Sequence, residues 1–306
     1  MKTIYDSKIY YSGFVRLILD LFLTTKPKIV VMLVLTLIVG MCLSDNMTAI
    51  PLDTFLRTIL GFFCIASSAA SLNHLIDFNY DKLMSRTLNR PLVKGIVTKK
   101  SLVIFNFILV FSGTLTLLSV NLITTFLSLF GFLGYTILYS KWLKHKTHQN
   151  IVIGGLSGAI PPLVGWTAVT NEIHPYSLLL VMIIFLWTPP HFWPLAIFRR
   201  NEYQLAGIPM LPVTHGNKFT SNMIIFYTIM LFCGILFTWV VGMTGHFFIL
   251  FGSILSLIFL IFSILLRINT SFILAKITFI YSIIYLFCIF ALLFLDKFFT
   301  VGLHET

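Results

Sequence analysis

Two aspartates and two arginines stand within NHLIDFNYDKLMSRTLNRPL, residues 73–92, where a long apolar run gives way to polar sequence. If the apolar helix before it continues through residue 81, Asn73, Asp77 and Asp81 fall at i, i+4 and i+8, one above another on a single face. That face offers oxygen ligands. Mg²⁺ takes hard oxygens, usually one or two carboxylates, and leaves its other positions to water and substrate phosphate. Arg86 and Arg90 follow, with guanidinium forks that match phosphate oxygens. The set reads as a metal–diphosphate site. Any one of these residues alone is also what a helix end uses to anchor at a membrane interface, so the combination carries the reading.

Two further polar clusters follow apolar runs. YSKWLKHKTHQN holds Tyr139, Lys144 and Asn150, and FLWTPPHFWPLAIFRRNEYQLAGIPMLP holds His191, Arg199, Glu202 and Tyr203. Lys144 and Arg199 are either phosphate partners or snorkelling anchors. His191 is either a hydrogen-bonded structural residue or a group facing a chamber, with Trp187, Phe192 and Trp193 beside it. Gly154 and Gly158 have the spacing of close helix packing. Pro161 and Pro162 in one run, and Pro189 and Pro190 in the next, predict two broken helices with a cavity between them.

The elements that position these residues are membrane spans. Hydrophobic residues are 58% of the 306, charged residues only 10%, and mean hydropathy is +0.97, against roughly 25% charged residues in soluble domains. Windows long enough to cross a hydrocarbon core fall near 27–44, 54–76, 102–120, 122–140, 150–170, 176–198, 220–242, 246–266 and 272–295. The expected fold is an all-α integral membrane protein of about nine transmembrane helices around a central cavity. It forms one polytopic domain, with a tail at 1–26, spans over 27–295 and a second tail at 296–306.

The net charge of +11 follows the membrane rather than a nucleic-acid surface. Arg57 and Lys297 alone among the 21 Lys and Arg fall on the face opposite the rest. By the positive-inside rule the N-terminus and the 73–92 cluster are cytoplasmic, and an odd span count sends the C-terminus outside. Residues 1–26 show no small-residue cleavage site, so an uncleaved tail is expected. Cys42, Cys64, Cys233 and Cys288 lie within or at the ends of spans with no metal-binding spacing, and read as small buried hydrophobes.

Three blocks, 73–92, LKHKTHQNIVIGGLSGAIPPLVGWTAV at 143–169 and FLWTPPHFWPLAIFRRNEYQLAGIPMLPV at 185–213, resemble the UbiA-type intramembrane prenyltransferases. GAIPPLVGW, TPPHFW and AGIPMLPV are similar to the heme-modifying branch, and the likeness in span pattern covers nearly the whole chain. The resemblance implies a UbiA-type fold in a bacterial-type cytoplasmic membrane. It implies transfer of a farnesyl group from farnesyl diphosphate to the vinyl group of heme B, with water added, giving heme O. It makes Mg²⁺ the cofactor, Asn73, Asp77 and Asp81 its ligands, and Arg86, Arg90, Lys144 and Arg199 the diphosphate partners. Asp77, Asp81, Lys144, His191 and Glu202 become the catalytic set, and His191, Trp187, Phe192 and Trp193 the heme pocket. Heme A synthase or terminal-oxidase assembly is the implied protein partner. Glu202 stands where members often carry aspartate, and its neighbours four residues away, Phe198 and Ala206, are apolar, so a second full metal cluster is not expected. The rival readings are a prenyltransferase for quinone or chlorophyll-type acceptors and a secondary transporter.

Overall fold

The computed structural model describes residues 13–44, 50–85 and 87–304. Helices run in the order α1 (Gly13–Thr24), α2 (Pro27–Leu43), α3 (Leu52–Ile76), α4 (Phe78–Asp81), α5 (Lys99–Leu118), α6 (Leu122–Leu133), a π-helical stretch (Gly134–Leu143) and α7 (Lys144–Lys146). They continue as α8 (Asn150–Ala159), α9 (Pro161–Thr170), α10 (Pro175–Phe198), α11 (Arg200–Leu205), α12 (Leu211–Thr214), α13 (Gly216–Val240), α14 (His246–Ile268) and α15 (Phe272–His304). No strand occurs among the described residues. In lipid each backbone polar group must be satisfied within its own segment, and a helix does that.

Among the described residues eight helical segments are long and apolar enough to cross a bilayer, or nine if the pair Leu17–Thr24 and Pro27–Leu43, bent by 56°, is one broken span. Part of the stretch expected as a tail is therefore helical. α1 is tied to α3 by a 2.8 Å hydrogen bond between the Thr24 and Ser71 hydroxyls, and Leu21 packs with Leu92, Val97 and Leu102.

Local sequence sets the element ends. Thr98 and Ser101 form a capping box at the start of α5, Asn121 caps α6 by accepting from the Thr124 N–H at 2.8 Å, and Pro27, Pro161 and Pro175 open their helices. Small residues let the helices meet. A side chain at Gly113 would come within 2.7 Å of the Gly61 carbonyl on α3, and one at Gly165 would overlap the Leu37 carbonyl on α2.

Two expectations change. Gly154 and Gly155 make the close approaches, to Tyr139 and Thr188, whereas a Cβ at Gly158 meets nothing within 4 Å. The contact surface thus follows adjacent glycines rather than the i, i+4 pair. The second change concerns the prolines: Pro161 does interrupt its span, but α10 runs unbroken through Pro189, Pro190 and Pro194. Proline removes one donor and strains the preceding turn, yet the flanking apolar sequence stays buried against α13 and α15 and holds the helix together.

Candidate active site

The polar end of α3 is built by backbone continuity across a small irregularity. Asp77 itself leaves helical geometry, but its N–H reaches the Asn73 carbonyl at 2.9 Å and the Asp81 N–H reaches the Asp77 carbonyl at 2.8 Å. The Asn73–Asp77–Asp81 ladder expected from spacing is therefore present. The following loop folds back through successive turns, with the Thr87 hydroxyl donating to the Asp81 carbonyl at 2.7 Å, and it returns Arg90 to pair with the Asp81 carboxylate. Arg86 lies outside the described residues.

The π-helical stretch supplies the other wall. The Lys144 N–H bonds the Tyr139 carbonyl, five residues back, and such wide turns recur at functional sites. Ser140 meets the Asn73 amide at 3.2 Å, and Lys144 pairs with Asp77 Oδ2, which also accepts from Asn73 Nδ2 at 2.9 Å. Asn73 Oδ1 accepts from Lys26 Nζ at 2.7 Å. Lys26 adopts the left-handed conformation, φ 53°, at the bend between α1 and α2, a geometry that side chains usually avoid and that here delivers an ammonium to the site.

Asp77 and Asp81 are each only 1% exposed. Burial pushes the Asp77 carboxyl up, but His145, Lys144 and Lys26 outweigh it and hold the group well below the usual carboxylate range. Burial raises the Asp81 carboxyl, with Arg90 opposing. Asp77 Oδ1 and Asp81 Oδ1 are buried without a hydrogen-bond partner. Buried acceptors are rarely left so. Two such oxygens one helical turn apart fit a divalent cation of the Mg²⁺ type. Among the described residues no three His, Cys, Asp or Glu side chains converge as a metal cage, so a cation held here would draw its remaining ligands from water and substrate, as Mg²⁺ does.

The third expected cluster does not join these contacts. Arg199 Nη1 donates to Glu202 Oε1 at 2.7 Å, and the two line an open cavity of about 270 Å³ with Phe198, Asn201 and Phe272. The heme-pocket quartet divides. Trp187 donates its indole N–H to the Ser282 carbonyl at 2.8 Å, and His191 meets the Ser282 hydroxyl through Nδ1 at 2.7 Å. His191 also stacks on Trp187 with ring centroids 4.1 Å apart and on Phe279 at 4.8 Å. Phe192 packs edge-on against His191. Trp193 faces the other way, against Tyr227, and lines a separate cavity of about 200 Å³ with His148 and His215. Two residues apart on a helix is about 200° of rotation, so His191 and Trp193 cannot share a wall.

Sequence reasoning missed Lys26, Tyr80, Ser140, His145, Phe279 and Ser282. Lys26 and His145 sit in runs that read as interface anchors. Ser140, Phe279 and Ser282 are ordinary span residues whose roles depend on which helices become neighbours.

Paired buried aspartates with an arginine and a lysine beside them at one rim of a helical membrane bundle form an arrangement that can take up a divalent cation and a phosphorylated substrate. The sequence signature of the UbiA prenyltransferase family matches residues 33–283, and the chain belongs to that family. It is 46% identical over 281 residues to a protoheme IX farnesyltransferase of Photobacterium profundum, covering 92% of this chain and 89% of that one. The fold is similar to a solved digeranylgeranylglyceryl phosphate synthase, with a TM-score of 0.78 at 16% identity over 92% of this chain and 98% of that one. It is also similar to a UbiA homolog from Archaeoglobus fulgidus bound to GPP and Mg²⁺, with a TM-score of 0.62 at 15% identity over 92% and 99%.

Proposed function

We propose that this chain transfers the farnesyl group of farnesyl diphosphate to a vinyl group of protoheme IX, with water added, to give heme O and diphosphate. The observation that carries the reading is the Asp77–Asp81 pair, each with a buried oxygen lacking a hydrogen-bond partner, flanked by Arg90 and Lys144 in a chain so similar to protoheme IX farnesyltransferases.

Diphosphate leaves slowly until its charge is neutralised. Mg²⁺, when bound, supplies that neutralisation together with a Lewis-acid contact to the phosphate oxygens. Asp77 and Asp81 would hold the cation, and Asn73 fixes the Asp77 carboxylate through its amide. Arg90 and Lys144, which pair with these carboxylates, are the cations that would meet the departing phosphate oxygens if a metal took up their partners. Arg86 and Arg199 are further diphosphate partners on this reading, and Glu202 acts through its pairing with Arg199. Loss of diphosphate leaves an allylic cation, which apolar walls shield from early capture by water.

The acceptor lies along the seam between α10 and α15. The Ser282 hydroxyl has one proton, and it donates that proton to the Phe279 carbonyl at 2.6 Å. His191 Nδ1 must therefore be the donor in its bond to Ser282, which leaves a lone pair on Nε2. That nitrogen is suited to contact the heme iron or to take up a proton, while Trp187, Phe192 and Phe279 flank the macrocycle. The concentration of basic residues on this side supports a diphosphate site that faces the cytoplasm, and the resemblance supports a bacterial-type inner membrane with heme A synthase or terminal-oxidase assembly as the downstream partner. Incubating the purified protein with protoheme IX, farnesyl diphosphate and Mg²⁺ tests the reading. A product heavier than heme B by one farnesyl group and one hydroxyl is expected, and an unchanged pigment refutes it.

A further inference from the structure

We propose that His145 is a positioning residue for the cation site, tying together the two chain segments that carry Asp77 and Asp81. This rests on the metal reading of those aspartates. Residues 144 and 145 sit side by side in α7 and address different oxygens of one carboxylate. Lys144 takes Asp77 Oδ2, and His145 Nε2 stands 3.5 Å from Asp77 Oδ1. That separation is a few tenths of an ångström beyond a normal hydrogen bond of roughly 2.7–3.2 Å.

The same ring lies flat on Tyr80, with centroids 3.9 Å apart and planes 12° from parallel. Tyr80 immediately precedes Asp81 in the single turn of α4. His145 therefore touches the Asp77 carboxylate with its edge and the Asp81 segment with its face. Both of its ring nitrogens are buried without a hydrogen-bond partner, and so is Asp77 Oδ1. An orphaned nitrogen beside an orphaned oxygen is a bond not yet closed. A cation drawn onto the aspartates competes with the ammonium and guanidinium that now hold them, which leaves Asp77 with the Asn73 amide on Oδ2 and room for a second neutral donor on Oδ1 to fix its rotamer. An imidazole N–H does this from a ring that need not carry charge, so it does not compete with the cation as Lys144 and Arg90 do. Ligating groups are commonly held in this way by an outer hydrogen bond, whose loss costs about 10–100-fold in metal affinity.

The test is a Mn²⁺ titration followed by electron paramagnetic resonance on purified protein in detergent, without prenyl substrate or heme. His145→Phe keeps the stack on Tyr80 and removes the nitrogens, and Tyr80→Leu leaves the imidazole in place but removes its platform. Mn²⁺ affinity should fall about 10–100-fold in His145→Phe and less in Tyr80→Leu, with the unfolding midpoint in chelator unchanged for His145→Phe. His145→Gln, which restores a donor, should recover part of the loss. Wild-type-like Mn²⁺ affinity in both His145→Phe and Tyr80→Leu overturns the proposal, as does a loss matched by a lowered midpoint in chelator. A wild-type chain that binds no Mn²⁺ overturns it too, by removing the metal reading itself.

Discussion

Replacing Asp77 by Asn keeps the shape of the side chain and removes its charge, which separates a structural ion pair from a catalytic one. In the native chain the Asp77 side chain is 2% exposed and that of its partner Lys144 12%. Breaking a buried pair by removing one partner costs about 3–5 kcal/mol, because the other charge stays buried and uncompensated. Asn retains an acceptor and Lys144 retains some exposure, so the lower end applies, about 3 kcal/mol. At about 2–4 °C per kcal/mol, the unfolding midpoint should fall by roughly 6–12 °C. Lys144→Met should cost a similar amount from the other side. In the double variant neither charge remains, and stability should return to within about 1 kcal/mol of wild type. Turnover should not return. Loss of transition-state charge stabilisation costs at least about 10²–10³ in rate, and Met at 144 restores none of it. The assays are unfolding of purified protein in detergent and product quantified by mass. A double variant that regains both stability and turnover would mean that the pair only holds the helices together. Single variants with unchanged midpoints would mean that the pair is not energetically buried.

Chelating divalent cations should abolish turnover in the wild type while leaving its unfolding midpoint within a degree or so, read by the same two assays. In chelator the stability contributed by Asp77 should be fully present at neutral pH and lost on acidification: its folded-state pKa lies below the unfolded value of about 4, so the midpoint should drop as pH falls below about 4, and Asp77→Asn should flatten that limb. At Glu202, whose pairing with Arg199 depends on charge, Glu202→Asp should keep substantial activity and Glu202→Gln should lose more; equal behaviour would make the residue structural. His191→Ala should weaken protoheme binding, seen as a shifted or lost Soret band, with farnesyl diphosphate affinity little changed, whereas a purely structural imidazole would instead cost about 1–3 kcal/mol of stability through the Ser282 oxygen left without its donor.

The span count, the helical class and the Asn73–Asp77–Asp81 ladder were legible because each depends on local pattern: apolar length in the first two cases, a four-residue spacing in the third. What joins Asp77 to Lys144, 67 residues away, depends on which helices become neighbours, and the sequence carried that only through resemblance. The π-helical geometry at 134–143 left no readable signature, and without it the aim of Ser140 and Lys144 could not be worked out. His145 was hidden by its setting, since an imidazole between two lysines reads as part of a solvated anchor. The unbroken course of α10 was misread for a related reason. Proline content forecasts missing donors, but the packing that tolerates them is tertiary.

The order of these residues along the chain bears on how the protein is made. Lys26, Asn73, Asp77, Asp81, Arg90 and Lys144 all precede residue 147, so the whole buried cluster has been synthesised before α8 begins. At about 5–20 residues per second the ribosome needs roughly 8–30 s more to finish, ample time for opposite charges to meet while later spans are still being threaded into the bilayer. A charge at the rim of an inserting helix costs less than the roughly 2.5–3.5 kcal/mol of one at its centre, and early pairing lowers that cost further during biogenesis. The other half of the enzyme works on a later clock. His191 waits for Ser282, and Ser282 arrives with the last span, so the seam proposed for the acceptor closes well after the polar cluster at the rim can form.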